Sequence, residues 1–356
     1  MYTVNLTSDP VKLTRQLIDI PSPSHEEKDI ADAIYNALSS IDGIELERHN
    51  NTVMARTNRG LPTRAVLAGH IDTVPIADNV PSRTENDIIY GCGAVDMKSG
   101  LACYLHAFAT LANSPQLTRD MTMIAYECEE IAARYNGLGH IDQEWLRGDV
   151  ALLGEPSGGI IEAGCQGSIR VKVIAHGTRA HSARAWLGDN AIHKLTPVLT
   201  RVANYAPRDV LIDGCEYKEG LNVVHLEAGV ATNTIPDEAW AFINFRFAPD
   251  RTIDEAMDHL LSVLDLPEGI DLEVDDASLA AAPGLSRPAA AELVEALGGQ
   301  FRAKYGWTDV ARFSNLGIPA VNLGSGDPGF AHKPDEQCPI SQITQVSDAL
   351  TSYLTR

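Results

Sequence analysis

Four short apolar runs in this chain each hand over to residues that bind protons or metals. Arg64-Ala-Val-Leu-Ala-Gly69 leads into His70-Ile-Asp72, and Met121–Tyr126 leads into Glu127-Cys-Glu129-Glu130. Ala151-Leu-Leu-Gly154 leads into Glu155-Pro-Ser157, and Ala320–Gly324 leads into a loop that ends on His332. Each run has the length and composition of a buried strand, and in open α/β sheets the carboxyl ends of the strands form the ligand crevice. Taken singly, a His or Glu after a strand is an ordinary capping or surface residue, and Glu129-Glu130 is an ordinary solvated acidic pair. Together, such carboxylates would repel and raise one another's pKa unless a cation sat among them. Imidazole and carboxylate donors without cysteine at ligand spacing suit zinc at a catalytic centre, with cobalt or manganese as substitutes.

The order of these residues resembles that of a known family. His70-Ile-Asp-Thr-Val-Pro75, Gly91-Cys-Gly-Ala-Val-Asp-Met-Lys98, Glu129-Glu130, Glu155-Pro-Ser157 and His332 are similar to the motifs of the co-catalytic zinc aminoacylase and carboxypeptidase superfamily. The resemblance covers nearly the whole chain. Within the superfamily, Gly177-Thr-Arg-Ala-His-Ser-Ala-Arg-Ala-Trp-Leu-Gly-Asp-Asn-Ala191, Thr308-Asp-Val-Ala-Arg-Phe313 and Gly326-Asp-Pro-Gly-Phe-Ala-His-Lys-Pro334 resemble the actinobacterial succinyl-diaminopimelate desuccinylases.

This resemblance implies two zinc ions per subunit bridged by Asp96, with His70 and Glu155 completing one site and Glu130 and His332 the other. It implies that Asp72 orients His70, that Glu129 is the general base, and that the Asp96–Met97 peptide is cis. The i, i+2 spacing of His70 and Asp72 suits that orienting role, because such residues point the same way on a strand. His181 is the candidate donor to the tetrahedral oxyanion. Asn233 and Arg246 would hold the substrate's carboxylates, Arg246 as a bidentate pair. Arg184, Thr308 and Arg312 are further substrate-binding candidates. Cys92 departs from the family, where arginine often stands; it leaves the metal ligands untouched and reads as a packed, inert thiol.

The elements that must position these groups follow from periodicity. Asp9-Pro10 is an N-cap followed by proline at N1, opening a helix that stops before Pro21. Ser24-His-Glu-Glu27 reads as a capping box ahead of Ile30, Ile34 and Leu38 at helical spacing. Helices over Lys98–Ala112 and Pro288–Tyr305 alternate with the four strands, which predicts an α/β catalytic domain with a mainly parallel, buried sheet. The middle of the chain reads differently. Strands over Ser168–Ala175, Leu221–Val230 and Ala239–Phe247 and helices over Ala191–Tyr205 and Thr252–Leu264 form a β-α-β-β-α block, although Pro197 interrupts the first helix. This α+β block is placed as an inserted lid and dimerisation domain, 166–276, within a di-metal catalytic domain of 1–165 and 277–356. Ala277–Pro288 is the linker candidate. Trp240, Phe242, Asn244 and Arg246 share one face of their strand, which points to a face covered by substrate or a partner chain.

Length and composition agree with this division. A chain of 356 residues exceeds what one hydrophobic core usually serves. The net charge of −20 argues against nucleic acid or an anionic membrane as partner. No secretory signal or membrane span is visible, and six scattered cysteines read as reduced thiols, which fits a cytoplasmic protein. The resemblance makes that cytoplasm bacterial and implies a homodimer formed through the insert. It also implies cleavage of N-succinyl-LL-2,6-diaminopimelate in lysine and diaminopimelate biosynthesis. Rival readings are another N-acyl amino acid deacylase, such as an acetylornithine deacetylase, or a small-peptide carboxypeptidase. A non-catalytic metal- or solute-binding protein is disfavoured by Asp72 and Glu129, neither of which is needed merely to hold metal. A cysteine-nucleophile amidase using Cys128 or Cys165 lacks a positioned histidine in the sequence.

Overall fold

A computed structural model describes residues 2–356, which divide into two compact units. The first comprises Met1–Ala163, Pro283–Arg302 and Arg312–Arg356, and the second Gly164–Ala282 and Ala303–Ala311.

The centre of the first unit is parallel sheet. Asp120–Tyr126, Arg64–His70, Val150–Pro156 and Ala320–Gly324 lie side by side in that order, each pairing parallel with the next. Their side chains are almost all buried, as expected for strands covered on both faces. Antiparallel strands extend both margins, among them the hairpin Ile44–His49 and Thr52–Thr57 on one side and Ile161–Ala163 on the other. The four central strands are the ones expected from the sequence; the marginal ones are shorter or half-polar and lack that signal.

The helix Lys98–Leu111 is packed tightly on this sheet, and Gly100 permits it: a Cβ there would lie 1.9 Å from the Gly154 carbonyl oxygen. Its first residue follows directly on Asp96-Met97, so the helix carries its preceding loop to the carboxyl ends of the strands. Asp9 caps the helix Pro10–Ile18 by accepting from Val11 N–H and Lys12 N–H. Two expectations need correction. Ser24 and Glu27 form no capping box: the helix Lys28–Leu38 has no side-chain cap, because the Ser24 hydroxyl donates to Asp72 instead. The helix expected over Pro288–Tyr305 ends at Ala296, followed by Gly298 and Gly299 at positive φ and a short strand, Phe301–Ala303.

The second unit is a four-stranded antiparallel sheet in the order Gly220–Ala228, Glu238–Phe247, Gly167–His176, Ile270–Ser278. The helices Ala191–Ala203 and Ile253–Leu264 cover one face, packing Leu195, Val198, Leu260 and Leu264 against Val171, Val173, Ile243 and Phe245. Pro197 is accommodated inside the first helix, and Thr252 and Glu255 form a capping box on the second. Ile270–Ser278 is a strand where the sequence reading has the end of the insert and the start of a linker. Its acidic, mostly exposed residues hide the pattern. On the strand Glu238–Phe247 burial alternates, leaving Trp240, Phe242, Asn244 and Arg246 half-buried on the face away from the helices. Among the described residues no helix is long and apolar enough to cross a membrane.

Candidate metal centre

His70 closes the strand Arg64–His70, and Asp72 follows it; both side chains are fully buried. His70 Nδ1 lies 3.0 Å from the Asp72 carbonyl oxygen and 3.4 Å from Asp72 Oδ1. A carbonyl can only accept, so Nδ1 carries the proton, and in the neutral ring Nε2 presents its lone pair. That Nε2 lies 3.1 Å from Asp96 Oδ1.

Asp96 faces two ways. Its Oδ1 meets His70, while its Oδ2 lies 3.3 Å from His332 Nε2. His332 Nε2 is also 3.0 Å from Glu130 Oε2. Donor atoms of His70, Asp96 and Glu130 all lie within 4.8 Å of one another. Glu155 stands near the end of the strand neighbouring that of His70. Continuing the register Ala68↔Leu153 by two residues sets Glu155 level with His70, and it is buried. The peptide between Asp96 and Met97 is cis.

Asp72 also fixes the turn that bears both glutamates. Its Oδ1 accepts the Glu129 N–H at 3.0 Å, and its Oδ2 accepts the Glu130 N–H at 3.1 Å and the Ser24 hydroxyl at 2.7 Å. Burial alone would raise the Asp72 carboxyl, but His70, Ser24 and the Glu129 amide hold it below the usual carboxylate range. Burial likewise opposes a charge on His70, yet Asp72 and Asp96 raise its pKa well above the ordinary value. Hydrogen bonds to Asp96 and Glu130 push His332 up to about 10.

The donor set fits a pair of divalent cations. Carboxylates crowded at hydrogen-bond distance from two imidazoles make each ring hold a proton avidly, and a field that favours a proton there equally favours a cation. Two nitrogens and several carboxylate oxygens, with no thiolate, are the donors that zinc, cobalt or manganese accept.

The cysteines stand apart from this chemistry. Cys92 is buried, burial raises its thiol, and its Sγ lies 3.7 Å from the Val74 carbonyl. His25 Nδ1 does lie 3.7 Å from Cys128 Sγ, a neighbour the sequence did not reveal. The Cys128 thiol nevertheless donates to Glu27 Oε1, and burial with that bond pushes it to about 12. Cys165 is pushed to about 11 by burial. Neither is a thiolate nucleophile at neutral pH.

Among the remaining candidates, His181, Arg184, Asn233, Arg246 and Thr308 belong to the second unit and Arg312 to the first. His181 pairs with Thr234 across a two-residue ladder, and the Ser182 N–H donates to the Asn233 carbonyl, so His181 and Asn233 are neighbours. His181 is exposed, and its Nδ1 accepts the Ala183 N–H, which leaves the proton on Nε2. Arg184 is exposed in the following turn, with non-helical backbone. Arg246 is half-buried on its strand, and no hydrogen bond engages its guanidinium among the described residues. Thr308 is buried, and its carbonyl lies 3.8 Å from Cys165 Sγ. Arg312 reaches the Ala133 carbonyl at 3.4 Å.

Residues 66–356 match Peptidase family M20/M25/M40. The chain belongs to that family. It is 59% identical over 360 residues to a Corynebacterium glutamicum protein named succinyl-diaminopimelate desuccinylase, covering 99% of this chain and 98% of that protein. Among solved structures, a Staphylococcus aureus tripeptidase superposes with a TM-score of 0.79 at 20% identity, over 99% of this chain and 98% of that one. A Bacillus subtilis protein described as a dinuclear metal-binding peptidase of the M20 family superposes with a TM-score of 0.71 at 16% identity, over 98% of each chain. At such identities these two structures establish the M20 fold alone. As a member of this peptidase family the chain is a hydrolase acting on an amide bond of a small-molecule substrate.

Sequence reasoning missed three groups that hold this M20 site together. Ser24 supports Asp72; Glu27 accepts the Cys128 N–H; and Glu336 accepts three amides of the Asp96 loop. Each is a long-range contact from a polar segment without periodicity, and only Ser24 and Glu27 carried a signal, which pointed to a capping box.

Proposed function

We propose that this chain is a di-zinc hydrolase that cleaves N-succinyl-LL-2,6-diaminopimelate to succinate and LL-2,6-diaminopimelate, in the bacterial cytoplasm, as part of lysine and diaminopimelate biosynthesis. The observation that carries the chemistry is Asp96, whose two carboxylate oxygens face two different histidines. The substrate follows from the Corynebacterium relative, whose identity extends over essentially both chains.

In this reading His70, Asp96 and Glu155 would hold one ion, and Asp96, Glu130 and His332 would hold the other. Such a pair supplies Lewis acidity, polarising the amide carbonyl and acidifying water. The protein's own groups do the rest. Glu129, its backbone held by Asp72, takes a proton from the attacking water as oxygen bonds to the carbonyl carbon. It returns that proton to the nitrogen as the C–N bond breaks, releasing carboxylate and amine. Asp72 keeps the Glu129–Glu130 turn in register, so one glutamate serves the proton and its neighbour the cation.

His181, with Nε2–H available, donates to the developing oxyanion. Arg246 and Asn233 take the substrate's carboxylates, with Arg184, Thr308 and Arg312 as further substrate-binding residues. We assign the second unit as lid and dimerisation domain, with His181 acting in the partner's site of a homodimer. The experiment is a substrate panel read by mass spectrometry. Succinate plus diaminopimelate from the succinylated substrate supports the reading; acetate from acetylornithine, or free amino acids from peptides, as the preferred products would replace it.

A further inference from the structure

Glu336 lies four residues beyond His332, in a segment that bears no catalytic signature, and its side chain is buried to within 2% of full exclusion. It does not sit there as a lone buried charge. Its Oε2 accepts the Gly93 N–H at 2.9 Å, and its Oε1 accepts the Val95 N–H at 2.8 Å and the Asp96 N–H at 2.9 Å. One carboxylate thus gathers three amides of the loop that presents Asp96, from some 240 residues away in sequence.

The backbone reinforces the same junction. Gln337–Pro339 pairs antiparallel with Ile88–Tyr90, and the Gly91 N–H donates to the Glu336 carbonyl at 3.1 Å. Upstream, the Glu336 N–H donates to the Lys333 carbonyl, which folds the segment back just after His332. Glu336 is therefore the point at which the Asp96 loop and the His332 segment are fastened to each other. Those two segments supply two donors whose separation, 3.3 Å from Asp96 Oδ2 to His332 Nε2, must be held for a cation to be shared between them.

We propose that Glu336 is a positioning residue for the dinuclear centre: by clamping the Gly93, Val95 and Asp96 amides it sets the spacing of Asp96 and His332 and so the affinity for the metal they share. The inference rests on the ligand assignment made above. Partners behind metal ligands commonly carry such weight, because an ill-oriented ligand binds weakly even when its chemistry is intact. A buried carboxylate with three charge-assisted amide bonds is also a stiff support. Glu336→Gln keeps the volume and one acceptor oxygen, but it sets an NH2 group against at least one of the amide donors.

The test strips metal from the full-length protein and titrates zinc back against a competing chromophoric chelator. Wild type, Glu336→Gln, Glu336→Asp and the ligand control Asp96→Asn are compared, and the melting temperature of each metal-free protein is recorded. Glu336→Gln is expected to bind the weaker zinc about 10- to 100-fold less tightly, with Glu336→Asp intermediate, as for other partners behind metal ligands. Turnover should then return as zinc is raised, with KM unchanged. A purely structural role would lower the metal-free melting temperature and leave zinc affinity within about twofold of wild type, which would overturn the proposal. If Glu336→Gln does not fold, Glu336→Asp decides alone, and wild-type zinc affinity there overturns it. If Asp96→Asn also binds zinc like wild type, the ligand assignment has failed; if only Asp96→Asn loses zinc, the Glu336 proposal has.

Discussion

The imidazole Nε2 of His332 lies 3.0 Å from Glu130 Oε2, although 202 residues separate them in sequence. Hydrogen bonds to Asp96 and to Glu130 push the pKa of His332 up to about 10. Zinc must displace the ring's proton, and the competition weakens as protons become scarce. Zinc affinity should therefore rise with pH across roughly 6 to 8. Calorimetry at several pH values in buffers of different ionisation enthalpy checks both the sign and the proton release.

The two adjacent glutamates should separate cleanly by substitution. Glu129→Gln is nearly isosteric and removes the proton acceptor, so turnover should fall by at least about 10²–10⁴-fold while zinc content stays near wild type. Glu130→Gln should instead lower zinc occupancy. Metal analysis alongside steady-state kinetics measures both, and near-normal turnover in Glu129→Gln would remove it as the base.

Much of this centre was legible because parallel strands announce themselves. Arg64–Gly69, Met121–Tyr126, Val150–Gly154 and Ala320–Gly324 are continuous apolar runs, and each ends on a residue that chemistry would want at a crevice. Asp96 was different: it follows a glycine-rich loop, and only the family motif Gly91–Lys98 marked it. The supports behind the ligands were not legible at all. Ser24 has the look of a helix cap, and Glu336 that of an acidic loop residue, because each acts through a partner far away in sequence. Ile270–Ser278 was missed as a strand for a related reason: at the margin of its sheet, its four acidic positions face solvent or half-solvent.

Glu219 offers a test of the second unit by itself. Its side chain is fully buried and accepts from Arg208, Arg251 and the Ala248 N–H. Burial alone would raise this carboxyl, but Arg208, the Ala248 amide and Arg251 hold it below its ordinary value. A depressed pKa contributes stability above the unfolded value, and that stability is lost as pH falls through the folded one. Glu219→Gln should cost about 1–3 kcal/mol at neutral pH, at the low end if the part-exposed Arg208 is well screened. Denaturant melts should show the gap between variant and wild type closing as the solution is acidified below the ordinary glutamate range.

His181 joins chemistry to assembly. Chains bearing His181→Ala and chains bearing Glu129→Gln should each give nearly inactive homodimers. A heterodimer of the two, isolated with two different tags, should recover one working site, where an intact Glu129 meets His181 from the other chain. A confirmed heterodimer without activity would confine His181 to its own chain or to no role.

The most direct measurement of the whole account combines metal and product. Protein freed of metal by exhaustive chelation is assayed on N-succinyl-LL-2,6-diaminopimelate, then reloaded with zinc and assayed again, with products and metal content quantified by mass spectrometry. The account predicts no turnover without metal, and equal amounts of succinate and LL-2,6-diaminopimelate once up to two zinc ions per chain are restored. Full turnover of the metal-free protein, or no succinate from the fully loaded one, would contradict it.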